Sequence, residues 1–216
     1  MVGPDILRWV DKLRPLLGAL LLIAPVYLIG LLYYFGSPHT LNVGYQPRQP
    51  LPFSHAQHAG DLGIDCRYCH NTVERAAFAA VPPTATCVNC HARIAVESDQ
   101  LLAVRQSEAT EEAIPWVKVH DLADYAYFDH SAHVARGVGC VSCHGRIDTM
   151  IEVRQVKTLS MGWCLDCHRN PEPHLRPLDQ VTSMDWVPNE DPTMLGRRLA
   201  EEDNIDPPTD CSTCHR

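Results

Sequence analysis

Five short stretches share one arrangement: CRYCH at 66–70, CVNCH at 87–91, CVSCH at 140–144, CLDCH at 164–168 and CSTCH at 211–215. Together they use all ten cysteines of the 216-residue chain. Two thiols three positions apart, with an imidazole directly after the second, are what covalent c-type haem attachment requires. The two sulfurs bond the porphyrin vinyl groups and the adjacent His is set below the iron. A zinc site built from CxxC pairs needs no His in that place, and a redox dithiol comes singly within a βαβ pattern. The pattern therefore predicts five covalently bound haem c groups. The attachment pairs are Cys66 with Cys69, Cys87 with Cys90, Cys140 with Cys143, Cys164 with Cys167, and Cys211 with Cys214. The proximal ligands are His70, His91, His144, His168 and His215.

Five six-coordinate irons need five further ligands, and seven histidines remain: His39, His55, His58, His120, His130, His133 and His174. Four of them lie in a repeat. FSHAQHAGDLGIDCRYCH at 53–70 matches FDHSAHVARGVGCVSCH at 128–144 as Phe-x-His-x-x-His followed by CxxCH, and a second CxxCH follows each copy. Imidazoles three apart share one face of a helical turn and can point to two adjacent haems. His55, His58, His130 and His133 are thus the expected distal ligands. The fifth is expected from His120, with Met161 as the alternative; a Met ligand raises the potential relative to His. Met150 and Met184 read as packing residues.

The elements that position these groups divide into an anchor and a haem domain. LLGALLLIAPVYLIGLLYYF, residues 16–35, is twenty residues without a charge. At about 1.5 Å per residue it crosses a hydrocarbon core of about 30 Å. It is longer than the apolar region of a signal peptide and ends in YYFGSPHT rather than in small residues, so an uncleaved anchor is expected. Arg8, Lys12 and Arg14 precede the span, whereas only Arg48 follows closely, which keeps residues 1–15 in the cytoplasm and carries residues 36–216 to the other side. Ile6, Leu7, Trp9, Val10 and Leu13 fit either an interfacial helix or the start of the span.

Beyond the anchor, roughly thirty-five residues serve each haem, too few for an ordinary side-chain core. The expected fold is mostly α and irregular, a multihaem domain with a haem-filled core behind one transmembrane helix. Seventeen prolines agree with short helices and loops. The clearest helical candidate is 92–113. The organisation reads as two dihaem repeats, 53–91 and 128–168, with a monohaem extension at 211–215. A formal charge of −8 argues against nucleic acid, and haem propionates add further negative charge, so a basic or neutral docking partner is expected. Arg67, Arg75, Arg93, Arg136, Arg146 and Arg169 stand near the motifs as tuners of potential or propionate partners.

The Phe-x-His-x-x-His plus CxxCH unit resembles class III multihaem cytochromes. The stretches 52–91, 119–148 and 159–171 are similar to the pentahaem subunit of bacterial alternative complex III; this likeness covers roughly residues 40–177, with CSTCH its least distinctive part. The resemblance implies a periplasmic electron conductor in the cytoplasmic membrane. It would work beside an iron–sulfur subunit and a quinol-oxidising integral membrane subunit, and deliver to a downstream cytochrome or oxidase. Two other readings fit these residues less well. A stand-alone quinol dehydrogenase shares the anchor and haem count, but one helix walls off little volume for a quinol headgroup. A catalytic cytochrome reducing an oxyanion needs an open iron, often marked by CxxCK, which is absent from the sequence; distal histidines would fill the open positions.

Overall fold

The computed structural model describes residues 4–36 and 42–215; His39 lies outside them. The chain divides into two units, 1–42 and 43–216. In the first, helix α1 runs unbroken over Pro4–Gly36 with Pro15 and Pro25 inside it, so the residues ahead of the expected span continue into it. Its Trp9–Gly36 portion, 28 residues of mean hydropathy 2.3, has none of its most apolar window buried. Side chains all round it are exposed, from Leu17 and Leu21 to Tyr33 and Phe35. A helix apolar on every side has no aqueous face, which suits a lipid surround.

The second unit is built from short helices joined by irregular chain, with no strand among the described residues beyond the isolated bridge Val138–Leu175. After α1 come α2 (Cys66–Cys69), α3 (Thr84–His91), α4 (Leu102–Thr110), α5 (His130–Val134), α6 (Cys140–His144), α7 (Met161–Arg169), α8 (Pro192–Glu202) and α9 (Cys211–Cys214). Local side chains start most of them. Asp65, Asp129, Ser160, Asp191 and Asp210 accept backbone N–H groups at the first turns of α2, α5, α7, α8 and α9. Such caps satisfy amides that a helix leaves unpaired at its start.

The apolar core is thin. Among the described residues it is confined to Leu51, Val73, Val104, Met150, Leu175, Val181, Met184 and Leu195. Met150 and Met184 are therefore packing residues, as expected. That is a small side-chain core for a unit of this length.

One expected helix is shorter than the sequence suggests. Of 92–113, only Asp99–Leu101 (a 3-10 turn) and α4 are helical. Ala95 and Glu111 take left-handed backbone, which ends a right-handed helix on either side. Arg105 holds the 95–98 turn by donating to the Val96 and Ser98 carbonyls at 2.7 and 2.9 Å.

Candidate haem centres

Each CxxC occupies a single helical turn. The two thiols, at i and i+3, and the His at i+4 therefore stand on one face. None of the ten cysteines is paired in a disulfide. Among the described residues no group of three or more His, Cys, Asp or Glu could cage a bare ion; the donors come as Cys–Cys–His triplets along the chain, the set that c-type haem takes up.

Seven histidines are held in one tautomer. Nδ1 of the proximal His70, His91, His168 and His215 lies 2.8, 3.1, 2.7 and 3.0 Å from the carbonyls of Ala80, Ile94, Pro208 and Tyr125. Nδ1 of the expected distal ligands His58, His130 and His133 lies 2.8, 2.7 and 2.7 Å from the carbonyls of Ser54, Ala77 and Asp129. A carbonyl only accepts, so each Nδ1 must donate, leaving the Nε2 lone pair free for a metal. This is the arrangement that orients metal-bound imidazoles and raises their basicity. Because backbone carbonyls supply it, no side-chain pattern in the sequence announces it.

The rings also pair. Two imidazoles on opposite sides of one iron, each at a metal–nitrogen distance of about 2 Å, have centroids roughly 6 Å apart. His58 and His91 stand at 6.1 Å, His133 and His168 at 6.0 Å, and His130 and His144 at 6.4 Å with planes only 13° apart. The repeat is thus duplicated in three dimensions, with the second His of each copy facing the second motif of its own unit. Each Phe braces both of its histidines. Phe53 stands 4.9 Å edge-on from His55 and 4.4 Å from His58; Phe128 stands 4.7 Å edge-on from His130 and 4.5 Å from His133. His130 and His133 lie on α5. His55 instead precedes a π-helical turn, Ala56–Asp61, that contains His58, a distortion often found at functional sites.

The remaining candidates cluster around His144. Burial pushes His144 down to about 3, with His120, His130, His70 and His55 nearby adding to the shift. His55 is likewise lowered to about 4, first by burial and then by His70 and His58. Both are neutral at ordinary pH, as a ligand must be. Nδ1 of His55, Nδ1 of His144 and Nε2 of His120 are buried without a hydrogen-bond partner. The His120 ring lies 4.5 Å from that of His144, closer than an intervening iron allows, and His144 already faces His130. Met161, at the start of α7, is 58% exposed. His215 has the Tyr125 ring 5.9 Å away.

Two of the arginines expected near the haems are already engaged: Arg67 with Asp65 and Glu74 at 2.9 and 3.2 Å, and Arg146 with Asp148 at 2.7 Å. The Arg67 bonds hold the Asp65 carboxyl down to about 2, keeping the cap of α2 charged. Arg136 donates to the Asp203 carbonyl.

Comparison with known proteins agrees with this geometry. Residues 126–216 match the family model described as cytochrome c7 and related cytochrome c. Over 100 residues the chain is 32% identical to a protein of Nitratidesulfovibrio vulgaris named as the multiheme cytochrome c subunit of a menaquinone reductase. The match takes in 46% of this chain and spans about half, 47%, of that relative. Over residues 126–216 the chain is thus similar to cytochrome c7 and related cytochrome c, and it shares the multihaem character of that relative's name only by likeness.

Proposed function

We propose that the chain is an electron-relay subunit of a membrane quinol-oxidising complex of the alternative complex III kind. Five covalent haem c groups in residues 36–216 would pass electrons to an acceptor on the periplasmic side of a bacterial cytoplasmic membrane. Residues 16–35 would anchor it, with 1–15 in the cytoplasm. Distal ligands would be His55, His58, His130 and His133, with His120 supplying the fifth through its buried, partnerless Nε2. The haem supplies one-electron chemistry; this chain's residues hold it covalently, fix imidazole orientation through backbone carbonyls and exclude water from the inner sites.

The observation that carries the reading is the pairing of imidazoles at 6.0 to 6.4 Å. A site with two imidazole ligands has no open position for a substrate, which suits transfer rather than chemistry at the metal. The quinol site is assigned to a partner. One helix cannot enclose a headgroup, and after Asp11 the chain has no acidic residue until Asp61 to accept quinol protons. An iron–sulfur subunit and integral membrane subunits would complete the complex, with a downstream cytochrome or oxidase as acceptor. The name of the Nitratidesulfovibrio relative favours menaquinone as the quinone. It also describes quinone reduction, and a chain of low-spin sites can carry electrons in either direction.

The test uses the purified holoprotein. It is expected to be reduced by dithionite and to stay oxidised with a menaquinol or ubiquinol analogue over many turnovers of the intact complex. Rapid reduction by quinol, abolished by a quinol-site inhibitor, would overturn the relay reading in favour of a stand-alone quinol dehydrogenase.

A further inference from the structure

The five attachment motifs follow one another in space in a different order from that in the chain. Motifs 1 (66–70) and 2 (87–91) are joined by Asn89 Nδ2, which donates to the Tyr68 hydroxyl at 3.2 Å. Motifs 1 and 3 (140–144) meet on the segment 181–182. The Cys140 amide donates to the Val181 carbonyl at 3.0 Å, and Cys66 Sγ lies 3.9 Å from the Thr182 carbonyl. The Thr182 hydroxyl donates to Asp65, the cap of motif 1, at 2.9 Å.

Motifs 3 and 4 (164–168) share α5, since His130 faces His144 and His133, one turn on, faces His168. Motif 4 is tied to the approach of motif 5 (211–215) by the bond from His168 to the Pro208 carbonyl at 2.7 Å. Motif 5 in turn lies on the segment before α5, where the Tyr127 amide donates to the Cys214 carbonyl at 2.8 Å.

The sequence of neighbours is therefore 2–1–3–4–5. An independent observation agrees with it. Of the ten cysteines, only Cys90 of motif 2 and Cys211 of motif 5 are exposed, and the other eight are partly buried. The two motifs that the contacts place at the ends are the two with a solvent-exposed cysteine.

We propose that motifs 2 and 5 are the two ports at which electrons enter and leave this chain, and that motifs 1, 3 and 4 form the enclosed path between them. This rests on the relay reading. Each step moves one electron from a reduced site to its oxidised neighbour, with no bond made or broken and no proton required. Redox partners would then dock against the second motif, on α3, and against the C-terminal motif, rather than against the first motif in the chain. Neighbouring sites interact electrostatically, so reducing one makes the next harder to reduce, and the interaction falls with distance.

The experiment replaces both cysteines of motif 2, Cys87→Ser with Cys90→Ser, in the full-length holoprotein, removing one peripheral haem. Individual midpoint potentials are then followed by NMR-resolved redox titration. The expected result is a shift at the motif 1 site alone, with motifs 3, 4 and 5 unmoved. A comparable shift at motif 3 would mean that motif 2 sits inside the path, which overturns the proposed order. The matching variant, Cys211→Ser with Cys214→Ser, is expected to shift motif 4 alone, and this second pair carries the test if the first does not mature. Electron exchange among the sites of the parent protein separates the two ideas. If the parent sites do not equilibrate with one another, the relay reading itself fails. If they equilibrate but the shifts fall on other motifs, only the order fails.

Discussion

Replacing His133 by Ala gives the sharpest test of how the repeat works. The side chain contributes three things: its face against Phe128 at 4.5 Å, its Nδ1 bond to the Asp129 carbonyl at 2.7 Å, and its Nε2 directed toward the site of His168. Loss of the ring contact costs about 0.5–1.5 kcal/mol, and loss of the hydrogen bond about 1 kcal/mol. Against a domain stability of about 5–15 kcal/mol, a change of about 2 kcal/mol leaves the fold intact, and the covalent thioethers of motif 4 are untouched. The spectroscopic effect is much larger. With the five sites proposed, one loses an axial ligand, so about a fifth of the haem should turn from low-spin to high-spin and take up added imidazole. Electron paramagnetic resonance and the visible spectrum of the purified variant measure this, and His133→Met should restore six-coordination with a higher midpoint potential at that site. A wild-type low-spin spectrum in His133→Ala would refute the reasoning, because it would show that the 6.0 Å pairing with His168 has no iron within it.

The fifth distal ligand can be decided in the same way: His120→Ala is expected to convert a further fifth or so of the haem to high-spin, whereas Met161→Leu leaves the spin state unchanged; the opposite result assigns the position to Met161. Packing offers a prediction of known sign. At an open helix site Gly→Ala stabilises by about 0.5–1 kcal/mol, but a Cβ on Gly196 of α8 would run into the Glu172 carbonyl. Gly196→Ala should therefore destabilise by roughly 1–3 kcal/mol, read as a lower denaturation midpoint in guanidinium at constant haem content.

The cofactor chemistry was legible in the sequence because it is local. CxxCH carries the two thiols and the proximal imidazole within five residues, and a single helical turn is enough to place all three on one face. The apolar run in 16–35 was legible for the same reason, since crossing a bilayer depends on length and composition alone. The candidate helix at 92–113 was over-read: its composition suits a helix, but the left-handed Ala95 and the grip of Arg105 on the Val96 and Ser98 carbonyls confine the helix to 99–110. Phe-x-His-x-x-His announced four imidazoles without saying which motif each would face, because their partners lie from 14 to 35 residues further on in the pairs now resolved. What only the tertiary structure decided was the set of relations between distant segments. The bond from His168 to Pro208, the meeting of Cys66 and Cys140 at 181–182, and the exposure of Cys90 and Cys211 all depend on how loops fold over one another. Backbone carbonyls carry no residue type, so the atoms that orient seven imidazoles leave no trace in the order of the side chains.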